Sequence, residues 1–485
     1  VSVAILGGIA AAQGPRREPS LPEALRKTYA AIPADGVPHN VADLKAIERH
    51  VQALIDRTLP AVASVGGATG VAVEDGFVLT AGHVMRTLGR SRRARRITMH
   101  DGRRIAIEPL GRNDRVDAGL LRSTTGGGAR VPAVDMGRSG RLRPGAWCLM
   151  FGHPGGVRPW RPASARLGRV LELRDDGSMV TDCLMQSGDS GGPVLDLAGR
   201  VVGINSRITS DLNTNIHVQI DAFREHWEQL LAGERTRGRW GSLRNADGKA
   251  PSRYSAEIRN AFRPVVARGR ESTVEVLSGL KRVALGTVVR ADGLVVTKAS
   301  ELGDKVTCIV CRGGDRIPAR RIATDDLNDL ALIEVEGVEL TPVRWSGDLD
   351  VKPGTWLVTP DLGDLPASYG IASVPIHSRP LVGYLGVRLR IRRAKVELRS
   401  TESGSPAEAA GLLRGDVIVA LDGEPMPRGR VWRRALSRRA PGERIRLVVR
   451  RGEKEFPLTV QLAVPKNRTG ARSRQRSLWG SLSEV

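Results

Sequence analysis

Between positions 41 and 57 the stretch VADLKAIERHVQALIDR carries apolar residues at helical spacing, which predicts an amphipathic helix. After Pro60 the pattern changes. Short apolar runs separated by Gly, Asp and Asn follow one another to about Ile220, among them AVASVGG, GVAVEDGFVLTAGHV, DAGLLRS and GRVVGINS. Strands at that spacing with no helices between them predict a closed antiparallel β architecture. A helical run, DAFREHWEQLLAGE, closes the unit, and from 235 to 249 the composition turns polar and glycine-rich, as in a linker.

Beyond that linker the chain repeats itself. GTVVRADGLVVTKASEL from Gly286 aligns with GVAVEDGFVLTAGHVM from Gly70 with one extra residue, and DDLNDLALIEV from Asp325 aligns with NDRVDAGLLRS from Asn113. VKPGTWLV parallels LRPGAWCL, and PAS recurs at Pro162 and Pro366. Matches in the same order indicate a duplicated domain. The second copy then breaks off. Near Gly383 the text becomes GYLGVRL, then STESGSPAEAAGLLRGDVIVALDGEPM, a helical RGRVWRRALSRR and two strands in RIRLVVRRGEKEFPLTVQL. From 465 onward a basic tail has too few apolar residues to fold alone.

A length of 485 residues exceeds what one core supports and fits about three units. The 56 glycines suit tight turns between short strands, and with 4% aromatic residues the cores must consist mainly of Val, Leu, Ile and Ala. The net charge of +23 comes mostly from arginine. Its densest run, RSRRARR at 90–96, lacks the stacking aromatics of a nucleic-acid site and reads as a solvated basic loop. The first fourteen residues, VSVAILGGIAAAQG, resemble the apolar region and cleavage site of a secretory signal without its positively charged start, so export is expected. No apolar run is long enough to span a bilayer. Cys148, Cys183, Cys308 and Cys311 are too few for a disulfide scaffold, and no His set accompanies them to make a zinc site; packing residues or an optional disulfide remain.

The candidate chemistry centres on GDSGGP at 188–193. A serine hydroxyl becomes a nucleophile when an imidazole accepts its proton and a carboxylate fixes that imidazole. Ser190 supplies the hydroxyl, and the amides of Gly188 and Ser190 could converge on an oxyanion. Upstream, His83 lies in LTAGHV at a strand end and Asp117 in DRVDAGLL at the start of an apolar run, with Asp114 as a competing acid. His153 and His217 lack such context and read as structural.

With the order His, Asp, Ser, residues 60–232 resemble a trypsin-like serine protease, and the whole chain resembles the HtrA/Deg group of exported proteases that carry PDZ domains. The text that supports this is LTAGHV, DRVDAGLL, MFGHPGG, SGDSGGPV and GRVVGINS. The resemblance implies a mainly β fold: tandem chymotrypsin-like double β-barrels, the second degenerate or incomplete, plus an α+β PDZ domain. It implies a serine endopeptidase acting on unfolded or damaged polypeptides and their C-terminal tails, periplasmic or envelope-associated, without metal or organic cofactor, and homo-oligomeric, most often trimeric. The expected organisation is a signal-peptide remnant at 1–20, an N-terminal helical segment at 21–59, the protease at 60–232, a linker at 233–262, the degenerate copy at 263–376, PDZ at 380–464 and the tail at 465–485.

The group often has Asn where this chain has Asp189, a residue that in digestive relatives pairs with a freshly cut N-terminus. By the same resemblance Leu184 lies at the base of the specificity pocket. In the second copy Ser300 stands at the histidine position and Asp329 keeps the acid, so the copy lacks a base. WGSL at Trp240 and again at Trp479 leaves open that the missing half lies beyond residue 485. In the PDZ region the amides near Tyr384, Leu385, Gly386 and Val387 are expected to hold a terminal carboxylate. The apolar end Leu482-Ser483-Glu484-Val485 is itself a candidate occupant of such a groove. Two readings from other classes compete: a peptide-binding scaffold or holdase that keeps the protease fold for shape, and a basic nucleic-acid-associated protein.

Overall fold

The computed structural model describes residues 22–463 apart from 34–35, 89–95, 125–130, 158–160, 303–307, 311–313, 326–327, 347–349, 376–382, 393–394 and parts of 239–249 and 427–440. Residues 1–20, expected as a signal-peptide remnant, most of the basic run at 90–96, Cys311, most of the RGRVWRRALSRR stretch expected as a helix and the tail at 465–485 with its last four residues lie outside the described residues. The chain divides into two units, Val1–Glu271 with Arg344–His377, and Ser272–Val343 with Ser378–Val485.

The first unit opens with α1 (Glu23–Ala30) and α2 (Val41–Thr58). The start of α2 is set by Asn40, whose side chain accepts from the Asp43 N–H at 3.0 Å and so satisfies one unpaired amide of the first turn. Its apolar stripe, including Leu44, Ile47, Val51 and Leu54, is buried. His50 on the same helix is buried too, with Nε2 against the Leu197 carbonyl at 2.6 Å and Nδ1 against Thr28 Oγ1 at 2.9 Å.

Strands β1 (Val62–Val65), β2 (Ala68–Ala72), β3 (Phe77–Ala81), β4 (Arg96–Met99), β5 (Arg104–Asn113) and β6 (Ala118–Ser123) come next, with α3 (Gly82–Leu88) between β3 and β4. They pair in the order β5-β4-β1-β2-β3-β6, and β6 returns to β5, which closes a six-stranded barrel. Gly66 and Gly67, at φ 60° and 96°, form the two-residue turn between β1 and β2; both positions of such a turn need positive φ. A second closed barrel runs β7 (Trp147–Gly152), β8 (Ser164–Leu173), β9 (Ser178–Thr181), β10 (Pro193–Leu195), β11 (Val201–Ile208) and β12 (Asn215–Gln219), paired β10-β11-β12-β9-β8-β7. Its strands are buried almost throughout, and Cys148 and Cys183 sit in its core as free thiols with sulfurs 3.7 Å apart.

The run at 221–234 forms two short helices, α4 (Ile220–Glu225) and α5 (Trp227–Leu231), broken at His226. The stretch expected as a linker at 233–262 is not free chain. It contains β13 (Arg235–Thr236), paired in parallel with β5, and α6 (Ala256–Ala261), which buries Ile258 and Ala261 in the first core, with Phe262 directly after it. Helix α7 (Arg263–Gly269) continues from there.

The second copy departs from the expectation of one degenerate unit at 263–376. Strands β14 (Thr273–Ser278), β15 (Lys281–Arg290), β16 (Leu294–Lys298), β17 (Cys308–Val310), β18 (Arg316–Asp325) and β19 (Leu330–Val335) close a complete barrel in the second unit, with a core of Val274, Val276, Val288, Val295, Ile309 and Ile333. After β19 the chain forms a single hairpin, β20 (Trp356–Thr359) with β21 (Ser368–Ile371), and this hairpin belongs to the first unit. The physical reason is aromatic packing. Trp356 lies edge-on to Phe262 at 5.2 Å and to Trp147 at 6.4 Å, Tyr369 stacks on Phe262 at 4.6 Å, and the Trp356 indole donates to the Leu44 carbonyl at 2.9 Å. The repeat explains the pairing: PGTW and PAS place β20 and β21 where PGAW and PAS place β7 and β8.

The second unit ends in a sheet of β22 (Val387–Arg392), β23 (Lys395–Thr401), β24 (Val417–Leu421), β25 (Glu424–Pro425), β26 (Arg444–Arg451) and β27 (Lys454–Gln461). The order is β22-β23-β24-β26-β27, with β25 on β24, so β22 is an edge. Helix α8 (Pro406–Ala409) and Trp432 pack with Leu398, Ile418 and Leu447 in its core. Among the described residues no helix is long and apolar enough to cross a membrane.

Candidate active site

His83 enters at the first turn of α3, directly after β3, and Asp117 at the turn from β5 to β6. Two backbone contacts fix them together: Gly82 N–H donates to the Asp117 carbonyl at 2.7 Å, and His83 N–H to Asp117 Oδ1 at 2.8 Å. The ring joins through Nδ1, 2.9 Å from Asp117 Oδ2. Asp117 has φ 55°, left-handed backbone that costs an L-residue roughly 1 kcal/mol and persists because the surrounding contacts over-determine it. Its carboxylate is 4% exposed, whereas the His83 side chain is 35% exposed. Burial alone would raise the Asp117 carboxyl, but hydrogen bonds from His83 and Ser206 outweigh it and hold it below the usual carboxylate value. Asp114 is engaged elsewhere, 3.3 Å from Arg112 and 3.9 Å from Arg86.

Ser206, which the sequence reading did not single out, links the other members. Its hydroxyl donates to Asp117 Oδ2, and its carbonyl accepts from Ser190 Oγ at 3.4 Å. Among the described residues Ser190 Oγ makes no hydrogen bond to His83; such contacts often tighten only when substrate is bound. The signal was a polar residue closing the apolar run GRVVGIN.

The loop around Ser190 is shaped by its glycines. Gly188 has φ 100°, and a Cβ there would lie 2.3 Å from the His153 carbonyl oxygen and 2.6 Å from Gly156 N, so only glycine fits. The Gly188 and Ser190 amides have no intramolecular acceptor among the described residues and are available as donors. Thr69 anchors the same loop from the first barrel. Its hydroxyl donates to the Gly188 carbonyl at 2.9 Å, and its N–H donates to the Ser190 carbonyl at 2.9 Å. With its one proton committed, Thr69 Oγ1 must accept from His153 Nδ1–H, 2.9 Å away. Leu184 is half-buried between buried Cys183 and Met185.

His153 and His217 are held neutral, His153 by burial and nearby Arg161, which lower it to about 4, and His217 by burial, which lowers it to about 3. Both would take a proton near 6.5 once unfolded. Their contribution is therefore full above pH 6.5 and lost as pH falls toward the folded values, for His153 by roughly 3 kcal/mol at the acid end. Asp182, Asp189 and Asp196, raised by burial, act in the opposite sense. A His153→Asn variant keeps an N–H donor toward Thr69 and removes the titration. Its Tm should fall less between pH 7 and pH 4.5 than that of the wild type; equal losses would contradict this assignment.

The second barrel repeats the arrangement without an imidazole. Asp329 has φ 58°, its carbonyl accepts from Ala299 N–H at 3.0 Å, its Oδ1 accepts from Ser300 N–H at 2.7 Å, and its Oδ2 accepts from Ser300 Oγ at 2.8 Å. The turn is that of Gly82, His83 and Asp117, with a hydroxyl in place of the imidazole. In the last sheet, Tyr384 pairs with Ala463, Leu385 is buried with its carbonyl accepting from Ala407 N–H at 3.0 Å, and Gly386 has φ 77° with a Cβ position 2.2 Å from Ser405 Cβ. Val387 begins β22. The Leu385 and Gly386 amides have no intramolecular acceptor among the described residues.

Comparison with known proteins matches residues 68–204 to the trypsin-like peptidase domain and 383–462 to the PDZ domain. A probable periplasmic serine endoprotease DegP-like of Chlamydia muridarum (strain MoPn / Nigg) is 23% identical over 406 residues, 80% of this chain and 73% of that protein. The periplasmic pH-dependent serine endoprotease DegQ of Escherichia coli (strain K12) is 25% identical over 435 residues, 87% of each. A probable DegP-like endoprotease of Marinomonas sp. (strain MWYL1) is 33% identical over 145 residues, 29% of each.

Proposed function

Since the chain is an HtrA-type serine endopeptidase with a PDZ domain, we propose that it is exported, cuts unfolded polypeptides with Ser190 as nucleophile, and recognises their C-terminal tails at the PDZ sheet edge. The observation that carries the catalytic part is the hydrogen-bonded chain from His83 through Asp117 and Ser206 to Ser190, beside two unengaged amides. Ser190 Oγ attacks the scissile carbonyl and gives its proton to His83 Nε2. Asp117 holds Nδ1–H and stabilises the imidazolium, which returns the proton to the leaving amine. The Gly188 and Ser190 amides receive the tetrahedral oxyanion. Leu184 favours a small or aliphatic side chain before the cleaved bond. The names of the relatives support export.

For the PDZ sheet, β22 offers an open edge for strand addition, and the Leu385 and Gly386 amides offer donors for a carboxylate. Residues 383–462 contain 18 Lys or Arg against 9 Asp or Glu, and Arg388 and Arg390 on β22 are exposed, with Glu397 opposite Arg390. Apolar-ended peptides bearing Asp or Glu upstream should therefore bind several-fold tighter than Lys-bearing ones, with the difference shrinking as salt rises. Fluorescence anisotropy tests both parts. Amidating the terminus should abolish binding, and equal affinity of free and amidated peptides would contradict tail recognition. On the catalytic side, a reduced, carboxymethylated protein should be degraded while its folded form is spared. An untouched unfolded chain would contradict the proposal.

A further inference from the structure

The carboxylate next to the nucleophile raises a question that the catalytic cluster does not answer. Asp189 is fully buried, and a buried carboxylate is retained only with a compensating partner. That partner comes from β8, in the same barrel. Arg166 Nη1 donates to Asp189 Oδ2 at 3.0 Å, with the two side chains 11% and 0% exposed. The guanidinium is itself held, since Nη2 donates to Ser164 Oγ at 3.2 Å. Arg161 adds positive charge near the same carboxylate.

Asp189 in turn organises the loop. Its Oδ2 accepts from Gln186 N–H at 2.7 Å, its N–H donates to the Gln186 carbonyl at 3.1 Å, and its carbonyl accepts from Gly192 N–H at 3.0 Å and Asn205 Nδ2 at 3.1 Å. These bonds span 186–192, the segment that aims the Gly188 and Ser190 amides. Gly152 leaves the space for the carboxylate, because a Cβ there would lie 2.3 Å from Asp189 Oδ1.

We propose that Arg166 is a positioning residue which, through its ion pair with Asp189, holds the oxyanion loop in its working arrangement, so that the countercharge comes from a strand of the barrel and not from a cleaved N-terminus. This rests on the reading of Ser190 as nucleophile. Without Arg166 the Asp189 carboxylate would have to turn toward solvent, and the turn that carries both amides would open. Burial already raises the Asp189 carboxyl, so in the absence of the guanidinium a fall in pH should protonate it, and only this neutral form stays buried and keeps the turn closed.

The test is steady-state kinetics on an unfolded substrate with the full chain. Arg166→Met should lower kcat about 100- to 1,000-fold, the size of losing an oxyanion donor, with KM within about threefold. Adding Asp189→Asn to that variant should restore kcat to within about tenfold of wild type, because a carboxamide needs no countercharge. The activity of Arg166→Met relative to wild type should rise as pH is lowered. If the single variant folds poorly, the double variant still decides the matter: kcat no better than that of Asp189→Ala overturns the proposal, as does near wild-type kcat in Arg166→Met. A wild type that is itself inactive, or a Ser190→Ala variant that still cleaves, would overturn the catalytic reading instead.

Discussion

Replacing Ser190 by alanine is expected to lower kcat on an unfolded substrate by about 10⁶-fold while leaving the Tm within a few degrees of wild type. The side chain is half-buried and makes one long contact, to the Ser206 carbonyl at 3.4 Å, so its removal gives up only a weak hydrogen bond. The residual rate reflects the Gly188 and Ser190 amides, which remain. His83→Ala should cost about as much, and the double variant no more than either single one, because an alcohol without a base and a base without an alcohol fail at the same step. Additive losses would mean that the two side chains do not act as a unit.

Asp117→Asn is expected to lower kcat about 10⁴-fold with little change in KM. The asparagine amide would present a donor to His83 Nδ1 and favour the tautomer with its proton on Nε2, the nitrogen that must accept from Ser190. Asparagine is the informative replacement because φ at this position is 55°, and Asn tolerates left-handed backbone better than most residues. Alanine would add strain to the loss of the carboxylate. Ser206, which donates to the same oxygen, would lose its acceptor if the amide nitrogen turned toward it, so a structure or NMR spectrum of the variant should accompany the kinetics.

The parts of the candidate site to which the sequence pointed were those in which one short segment carries both the side chain and the backbone that aims it. GDSGGP encodes a tight turn through Gly188 and Gly191, and LTAGHV and DRVDAGLL place a residue at a strand end. Ser206, Thr69 and Arg166 were not legible. Each acts through a partner far along the chain, and each looks like an ordinary strand residue until the barrels close. Arg166 is the clearest case: nothing in SARLGRV singles it out, and only its placement beside buried Asp189 gives it a role.

The fold shows the same division. The duplication was visible in four repeats, PGTW and PAS among them, and the closed barrels followed from short apolar runs separated by Gly, Asp and Asn. The split of the second copy was not visible, because it depends on contacts of Trp356 and Tyr369 with Trp147 and Phe262, which the repeat pattern does not encode. The polar stretch at 233–262 misled for a related reason. Ile258, Ala261 and Phe262 are too few to show a period, yet enough to dock a short helix.

The most direct test of the central claim is covalent labelling of the native chain by a fluorophosphonate, with the adduct located by mass spectrometry. The account predicts one adduct, on Ser190, nearly abolished in His83→Ala and strongly reduced in Asp117→Asn. Labelling that proceeds equally well in His83→Ala, or that falls on another residue while Ser190→Ala still digests unfolded protein, would contradict it.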